Sequence, residues 1–204
     1  SAFAASEFAA MNTSVGFLSV DAKINPGYIA TDGKQNPLWN RYHTNAAGSL
    51  SGSGRSAIPS IFTYGFYDGT KIIDTDRGAA TYRSFNSNTP VGQLGNLIDN
   101  PEALASQTTW YVGSGTGTNA TNTIGLLKGR TADFPIMLAA ESYLLQAEAY
   151  MKGYLAGDDM EAFEDGIYAS FRYLHEDISG SIMTNLGDDY DLEAGLEQYK
   201  MDNP

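Results

Sequence analysis

The chain has 204 residues, of which 42% are hydrophobic and none is cysteine, and a formal net charge of -12 at pH 7. At this length a compact fold buries roughly 70% of the unfolded surface, so an ordinary core is expected. The composition excludes disulfides and thiolate metal sites, the acidity excludes nonspecific nucleic-acid binding, and no apolar run nears the roughly 20 residues of a membrane-spanning helix.

Residues 2–11 read as a short helix, with Phe3, Ala4, Phe8 and Met11 on one side. Residues 12–56 are rich in Asn, Gly, Ser and Thr and hold no lasting period. They read as loops with isolated apolar anchors, Leu38 and Trp39 among them. Residues 57–75 alternate loosely around Ile61, Phe62, Tyr64, Phe66, Ile72 and Ile73, and a short hairpin turning at Asp68-Gly69 is expected there. A helical turn is expected at 101–104. Residues 108–129 form a Gly/Thr/Asn stretch headed by Trp110, Tyr111 and Val112. Sixteen of the 22 glycines fall in residues 1–132. Such long irregular stretches are usually functional or mobile, so a loop-built part resting on a helical scaffold is expected.

Residues 133–204 read differently. Met137, Ala140, Leu144, Ala147 and Met151 recur at helical spacing, which predicts a helix over about 136–152. Gly153 and Gly157 bracket a break, Asp158 or Asp159 is placed to cap a second helix, and Met160, Phe163, Ile167, Phe171 and Leu174 form its apolar face. So short a connection predicts an antiparallel pair, packed through Leu144, Ala147, Met151, Phe163, Ile167 and Phe171. Gly166 breaks the pattern at a cost of about 1 kcal/mol relative to alanine. With Ala162, Ala169 and Ser170 it makes a small-residue edge that would let a neighbouring helix approach; the alternative is a tolerated surface glycine or a local irregularity. Two short elements are expected at 178–186 and 192–199. The charge is uneven. Residues 1–132 hold nine basic and eight acidic side chains, and residues 133–204 hold three and sixteen. The acidic field therefore belongs to the helical half.

Little in the chain carries catalysis. Gly113–Gly117 superficially resembles a phosphate loop but lacks the following Lys-Ser/Thr. The two histidines are His43, among polar loop residues, and His175, near the end of the second helix. Glu141 and Glu148 lie about 10.5 Å apart along a helix axis, too far for paired glycosidase carboxylates. Asp74 with Asp76, and Asp188, Asp189, Asp191 and Glu193, are oxygen-rich runs that suit calcium, but neither has the order of an EF-hand. No enzyme activity, cofactor or metal is expected. The aromatic residues are better material. Trp39 and Tyr42 lie near Asn36, Asn40 and Arg41. Trp110 and Tyr111 lie near Gln107 and Thr109. Tyr64 and Tyr67 make a third group. A flat ring backed by amides suits a neutral sugar. Each tryptophan also suits anchoring its loop onto the scaffold, Trp39 the more so beside Pro37 and Leu38, and Trp110, beside the glycine-rich Gly113–Gly117, is the first choice for a platform. Trp110, Tyr111, Trp39 and Tyr42 are the candidate ligand-binding residues.

The run Pro135-Ile136-Met137, Ala140-Glu141, Leu144-Leu145, Ala147-Glu148-Ala149, followed by Gly166-Ile167 and Ala169-Ser170-Phe171, resembles the SusD/RagB class of outer-membrane nutrient-binding lipoproteins. Asn36-Pro37-Leu38 and Asp76-Arg77 match shorter elements of that class more loosely. The resemblance covers the last third firmly and the middle loosely. It implies a mainly α fold, a scaffold of the tetratricopeptide kind with a long irregular loop-rich subdomain. Residues 1–132 would be the loop-rich part and 133–204 the acidic helical hairpin and following elements of the same domain. It implies noncatalytic binding of a glycan or similar nutrient at the bacterial outer-membrane surface, with a lipid anchor in the full-length protein. The partners it implies are a TonB-dependent transporter and the remaining part of its own polypeptide, since members of the class are longer. The alternative is a helical scaffold or adaptor that binds another protein and no small ligand.

Overall fold

The computed structural model describes residues 1–204 apart from 88, 93–107 and 114–122. The turn expected at 101–104, Gln107, and Ser114–Gly117 of the glycine-rich loop lie outside the described residues. The described elements, in order, are α1 (Ala2–Ser14), β1 (Ala22–Ile24), α2 (Pro37–Tyr42), α3 (Gly52–Ser56), α4 (Ile61–Tyr64), α5 (Thr75–Thr81), β2 (Phe134–Met137), α6 (Ala139–Met151), α7 (Asp159–His175) and α8 (Leu192–Asp202). The fold is mainly α-helical, and β1 and β2 pair into a two-stranded sheet. Among the described residues no helix is long and apolar enough to cross a membrane. The chain forms two compact units interleaved in sequence, one of Ser1–Ile24 with Pro135–Arg172, the other of Asn25–Phe134 with Tyr173–Pro204.

The first unit contains the predicted hairpin. The first helix starts three residues later than the periodicity indicated, because residues 134–137 are extended and pair with β1. Its first turn is capped from a distance: the Ala139 N–H donates to Asp21 Oδ1 at 2.9 Å. Its end is a Schellman motif on Gly153, φ +66°. There the Gly153 N–H donates to the Tyr150 carbonyl (2.9 Å) and the Tyr154 N–H to the Ala149 carbonyl (2.8 Å). Asp158 then caps α7, its Oδ1 accepting from the Met160 and Glu161 N–H groups at 3.0 Å each.

Gly166 is where the two helices close. A Cβ at that position would lie 2.8 Å from Leu144 Cδ2 and 3.4 Å from the Leu144 backbone nitrogen. The buried residues of α6 are all small, Ala139, Ala140, Ser142, Ala147 and Ala149. The large buried side chains of the pair come from α7, Ile167 and Phe171 among them. Half of the expected seam differs. Leu144, Met151 and Phe163 are 41–67% exposed, as is Met160 of the same α7 face, because the α6 and α7 residues nearest the connection flank an open groove instead of interdigitating.

The second unit carries the irregular part. Residues 61–64 are a helical turn, not a strand; the Asp68-Gly69 turn is present, closed by an antiparallel bridge between Asp68 and Ile73 with Gly69 at φ +90°. Asn36 ties its loops together. Its Oδ1 caps α2 through the Leu38 and Trp39 N–H groups (2.8 and 3.2 Å). Its Nδ2 donates to the Ala132 and Asp133 carbonyls (2.9 and 3.2 Å). Pro37 at the first helical position needs no N–H partner. Residues 176–189 form two tight turns, and α8 follows with Asp191 as its cap.

Candidate functional site

The stretch 108–112, Thr-Thr-Trp-Tyr-Val, is rich in residues that favour extended backbone. Its middle pairs with residues 81–83. The Arg83 N–H donates to the Thr109 carbonyl (2.8 Å) and the Tyr111 N–H to the Thr81 carbonyl (2.9 Å), which sets Tyr82 opposite Trp110 in an antiparallel bridge. Those bonds flank the pair, so this is the register in which facing side chains come closest. The two rings stack with centroids 5.8 Å apart and planes at 23°.

Further rings join this stack from three other segments. Tyr42, at the end of α2, meets Trp110 edge-on at 6.3 Å. Tyr64 and Tyr67 lie 5.6 and 5.5 Å from Tyr82. Phe85 lies 5.1 Å from Tyr64. Phe85 is held down on Gly78, where a Cβ would come within 2.4 Å of its ring. Left-handed residues flank it, Ser84 (φ 53°) and Asn86 (φ 60°). Such conformations cost of order 1–3 kcal/mol and cluster where geometry is functional. The Asn86 N–H donates to Tyr64 Oη at 2.9 Å, fixing that ring as well. Tyr42, Tyr64, Tyr67, Phe85 and Trp110 are half-buried, so parts of the array face solvent, whereas Tyr82 is buried beneath them.

The predicted site residues separate into three roles. Trp110 and Tyr42 belong to the array. Trp39 is 1% exposed and forms the core beneath it with Val112 and Leu127, against which Leu38, Tyr42 and Trp110 pack. Trp39 therefore presents no face to a ligand. Tyr111 alternates to the other side of its extended segment. Its hydroxyl donates to the Asn185 carbonyl at 2.8 Å, away from the stack. Tyr82 and Phe85 were not anticipated as members. Period-two alternation in residues 108–112 separates Trp110 and Val112 from Tyr111, but nothing local indicates that residues 81–83 are the pairing partner.

No family model, curated protein or solved structure matches this chain. Burial raises the Tyr67 hydroxyl and, more strongly, that of Tyr82, which the neighbouring Tyr67 and Tyr64 raise further. Both remain neutral donors at physiological pH. Trp110 Nε1 is buried and makes no hydrogen bond among the described residues. Three carboxylates of the oxygen-rich runs are engaged elsewhere. Asp74 accepts from Arg77 Nε at 2.6 Å, Asp76 accepts from the Tyr190 hydroxyl at 3.0 Å, and Asp191 caps α8. Among the described residues no three His, Asp or Glu side chains converge on a metal position.

His43 lies under the array, edge-on to Trp39 with centroids 4.3 Å apart. Thr44 Oγ1 fixes its protonation. That hydroxyl receives the Trp39 Nε1–H (3.2 Å) and an Arg130 Nη2–H (3.4 Å), which use both lone pairs. Its own proton is left for His43 Nδ1, 3.3 Å away. Burial first, then Arg83 and Arg130, push the His43 pKa down to about 4. An unfolded histidine takes its proton near pH 6.5. The contribution to stability is thus complete above that pH and is lost as pH falls towards about 4, by about 1–2 kcal/mol after solvent screening. Urea unfolding at pH 7.5 and pH 4.5 checks this. The native chain is expected to lose that much more stability on acidification than His43→Gln, and equal losses would refute the placement.

Proposed function

We propose that this chain is a SusD/RagB-like protein, with a scaffold of the tetratricopeptide kind, and that it binds a neutral glycan or similar nutrient without turning it over. By the same resemblance it acts at the bacterial outer-membrane surface, lipid-anchored in its full-length form, and passes the ligand to a TonB-dependent transporter. The observation that carries the reading is the convergence of Tyr42, Tyr64, Tyr67, Phe85 and Trp110 into one half-buried array around Tyr82. Sugar rings stack their apolar faces on such surfaces. The neutral tyrosine hydroxyls supply donors for sugar oxygens, and the Arg41 guanidinium over the Tyr42 ring, 5.7 Å from its centroid, adds further donors at the edge of the array.

Titration calorimetry with a panel of neutral oligosaccharides tests this. Trp110→Ala is expected to weaken binding by about 1–3 kcal/mol, by analogy with ring stacking on bases, while circular dichroism shows an intact fold. Unchanged affinity with an intact fold removes Trp110 from the site. Reducing-end assays on the same sugars between pH 5 and 8 are expected to stay at background. Sustained product formation abolished by one carboxylate substitution would overturn the noncatalytic reading.

A further inference from the structure

The open groove between α6 and α7 has no part in glycan binding as proposed above. It lies wholly within the other compact unit. It encloses about 350 Å³, with Leu144, Ala147 and Met151 on the α6 side and Met160 and Phe163 on the α7 side. Met151 and Met160 are 67% and 62% exposed. Large exposed apolar residues gathered in one concavity mark a binding surface more often than scattered ones do. Methionine-rich walls adapt to the shape of an incoming side chain.

Three properties narrow the occupant. The α6 wall is built from positions 144, 147, 148 and 151, so the groove runs along the helices for about two turns, or about 10.5 Å. That is the length over which a docking helix presents anchors at i, i+3 or i+4, and i+7. The remaining lining groups are Glu148 on one wall and Asp159 on the other. Both are acceptors, and they offer a sugar or peptide carbonyl no donor. Residues 139–172 carry seven acidic side chains against two basic ones. Glu148 is already paired with Lys152 one turn away, but in an exposed pair of the kind worth little, which leaves it open to a second cation. An anionic lipid surface or another acidic helix is repelled by this rim. A second copy is a poor fit, since α1 carries no Lys or Arg and α8 carries one Lys. We infer that the groove docks a cationic amphipathic helix of a protein partner, with its apolar stripe on Leu144, Met151, Met160 and Phe163 and its Lys or Arg side chains over Glu148 and Asp159.

The test uses the whole 204-residue chain and three labelled synthetic helices read by fluorescence anisotropy. One has leucines at i, i+3 and i+7 flanked by lysines. The second has glutamates in place of those lysines. The third has the lysine composition in scrambled order. The lysine-flanked helix is expected to bind, and the other two to bind at least about tenfold more weakly. Binding of the first is expected to weaken with added salt. Met160→Asp and Met151→Asp, both at exposed positions, are each expected to reduce it about tenfold with an unchanged circular dichroism spectrum. The inference is overturned by absence of binding, by equal binding of the ordered and scrambled lysine helices, by preference for the glutamate helix, or by unchanged binding in both aspartate variants. Sedimentation showing that a second copy fills the groove also overturns it. Failure here leaves the glycan reading untouched, because Trp110 and its neighbours lie in the other unit.

Discussion

Replacing Phe171 with alanine is expected to lower the unfolding free energy by about 3–5 kcal/mol. Phe171 is 1% exposed, and it follows Ile167, Gly166 and Ala162 along the buried side of α7. The facing helix contributes small buried residues, so it has no large side chain to shift into the space left behind. Nor can the helices move closer, since at Gly166 they already meet at backbone range. A cavity that cannot collapse places the cost at the upper end for such substitutions. Phe163 is the control. It is the same residue type on the same helix, but 43% exposed. Phe163→Ala is expected to cost under about 1 kcal/mol. Urea denaturation with a common slope measures both. A loss below about 1 kcal/mol at Phe171, or equal losses at the two positions, would show that the buried seam is not where the structure places it.

The same pair shows which parts of the chain could be read from sequence. Helical periodicity located both helices, Asp158 was among the expected caps, and Gly153 lay at the break. These are short-range signals, carried by residues three or four apart. The depth of the seam could not be read in the same way. Met160, Phe163, Ile167, Phe171 and Leu174 share one apolar face in the sequence, but only the last three are buried. Periodicity identifies a face and does not say how far the partner helix covers it. Gly166 carried part of that information, since its missing side chain marks the point of closest approach. The cap on α6 was not legible, because Asp21 reaches it from 118 residues away.

In the loop-rich unit the limits are sharper. Three aromatic groups were recognised, but their convergence depends on residues 81–83 pairing with 109–111, a contact between segments with no common period. Residues 12–56 read as loops for want of a lasting period, yet Asn36 caps a short helix there, α2. The second role of Asn36, holding the carbonyls of Ala132 and Asp133, is again long-range. Local neighbours favour Trp110 as platform and Trp39, beside Pro37 and Leu38, as anchor, but they do not give the depth of either ring. The structure separates them by depth: Trp39 is enclosed by Val112 and Leu127, and Trp110 rests on that enclosure.

That division predicts opposite behaviour for the two tryptophans. Trp39→Ala is expected to cost about 3–5 kcal/mol, because it empties the base of the array. It also removes the indole N–H from Thr44 and the ring against which His43 packs. Any loss of glycan binding should then follow the loss of folded protein. Trp39→Phe separates packing from hydrogen bonding. It keeps most of the apolar volume, and Thr44 keeps Arg130 and His43 as partners. It is expected to cost only about 1–2 kcal/mol. With no face of Trp39 exposed, Trp39→Phe should bind oligosaccharide with native affinity wherever it is folded. Trp110→Ala should do the reverse, folding normally and binding weakly. Calorimetric titration beside urea denaturation on Trp39→Phe and Trp110→Ala, with urea denaturation of Trp39→Ala, gives the five values needed. If Trp39→Phe loses affinity while retaining its stability, the ring reaches the ligand and its place in the core is wrong. If Trp110→Ala loses stability as Trp39→Ala does, the array is a second layer of core and the sugar must bind elsewhere.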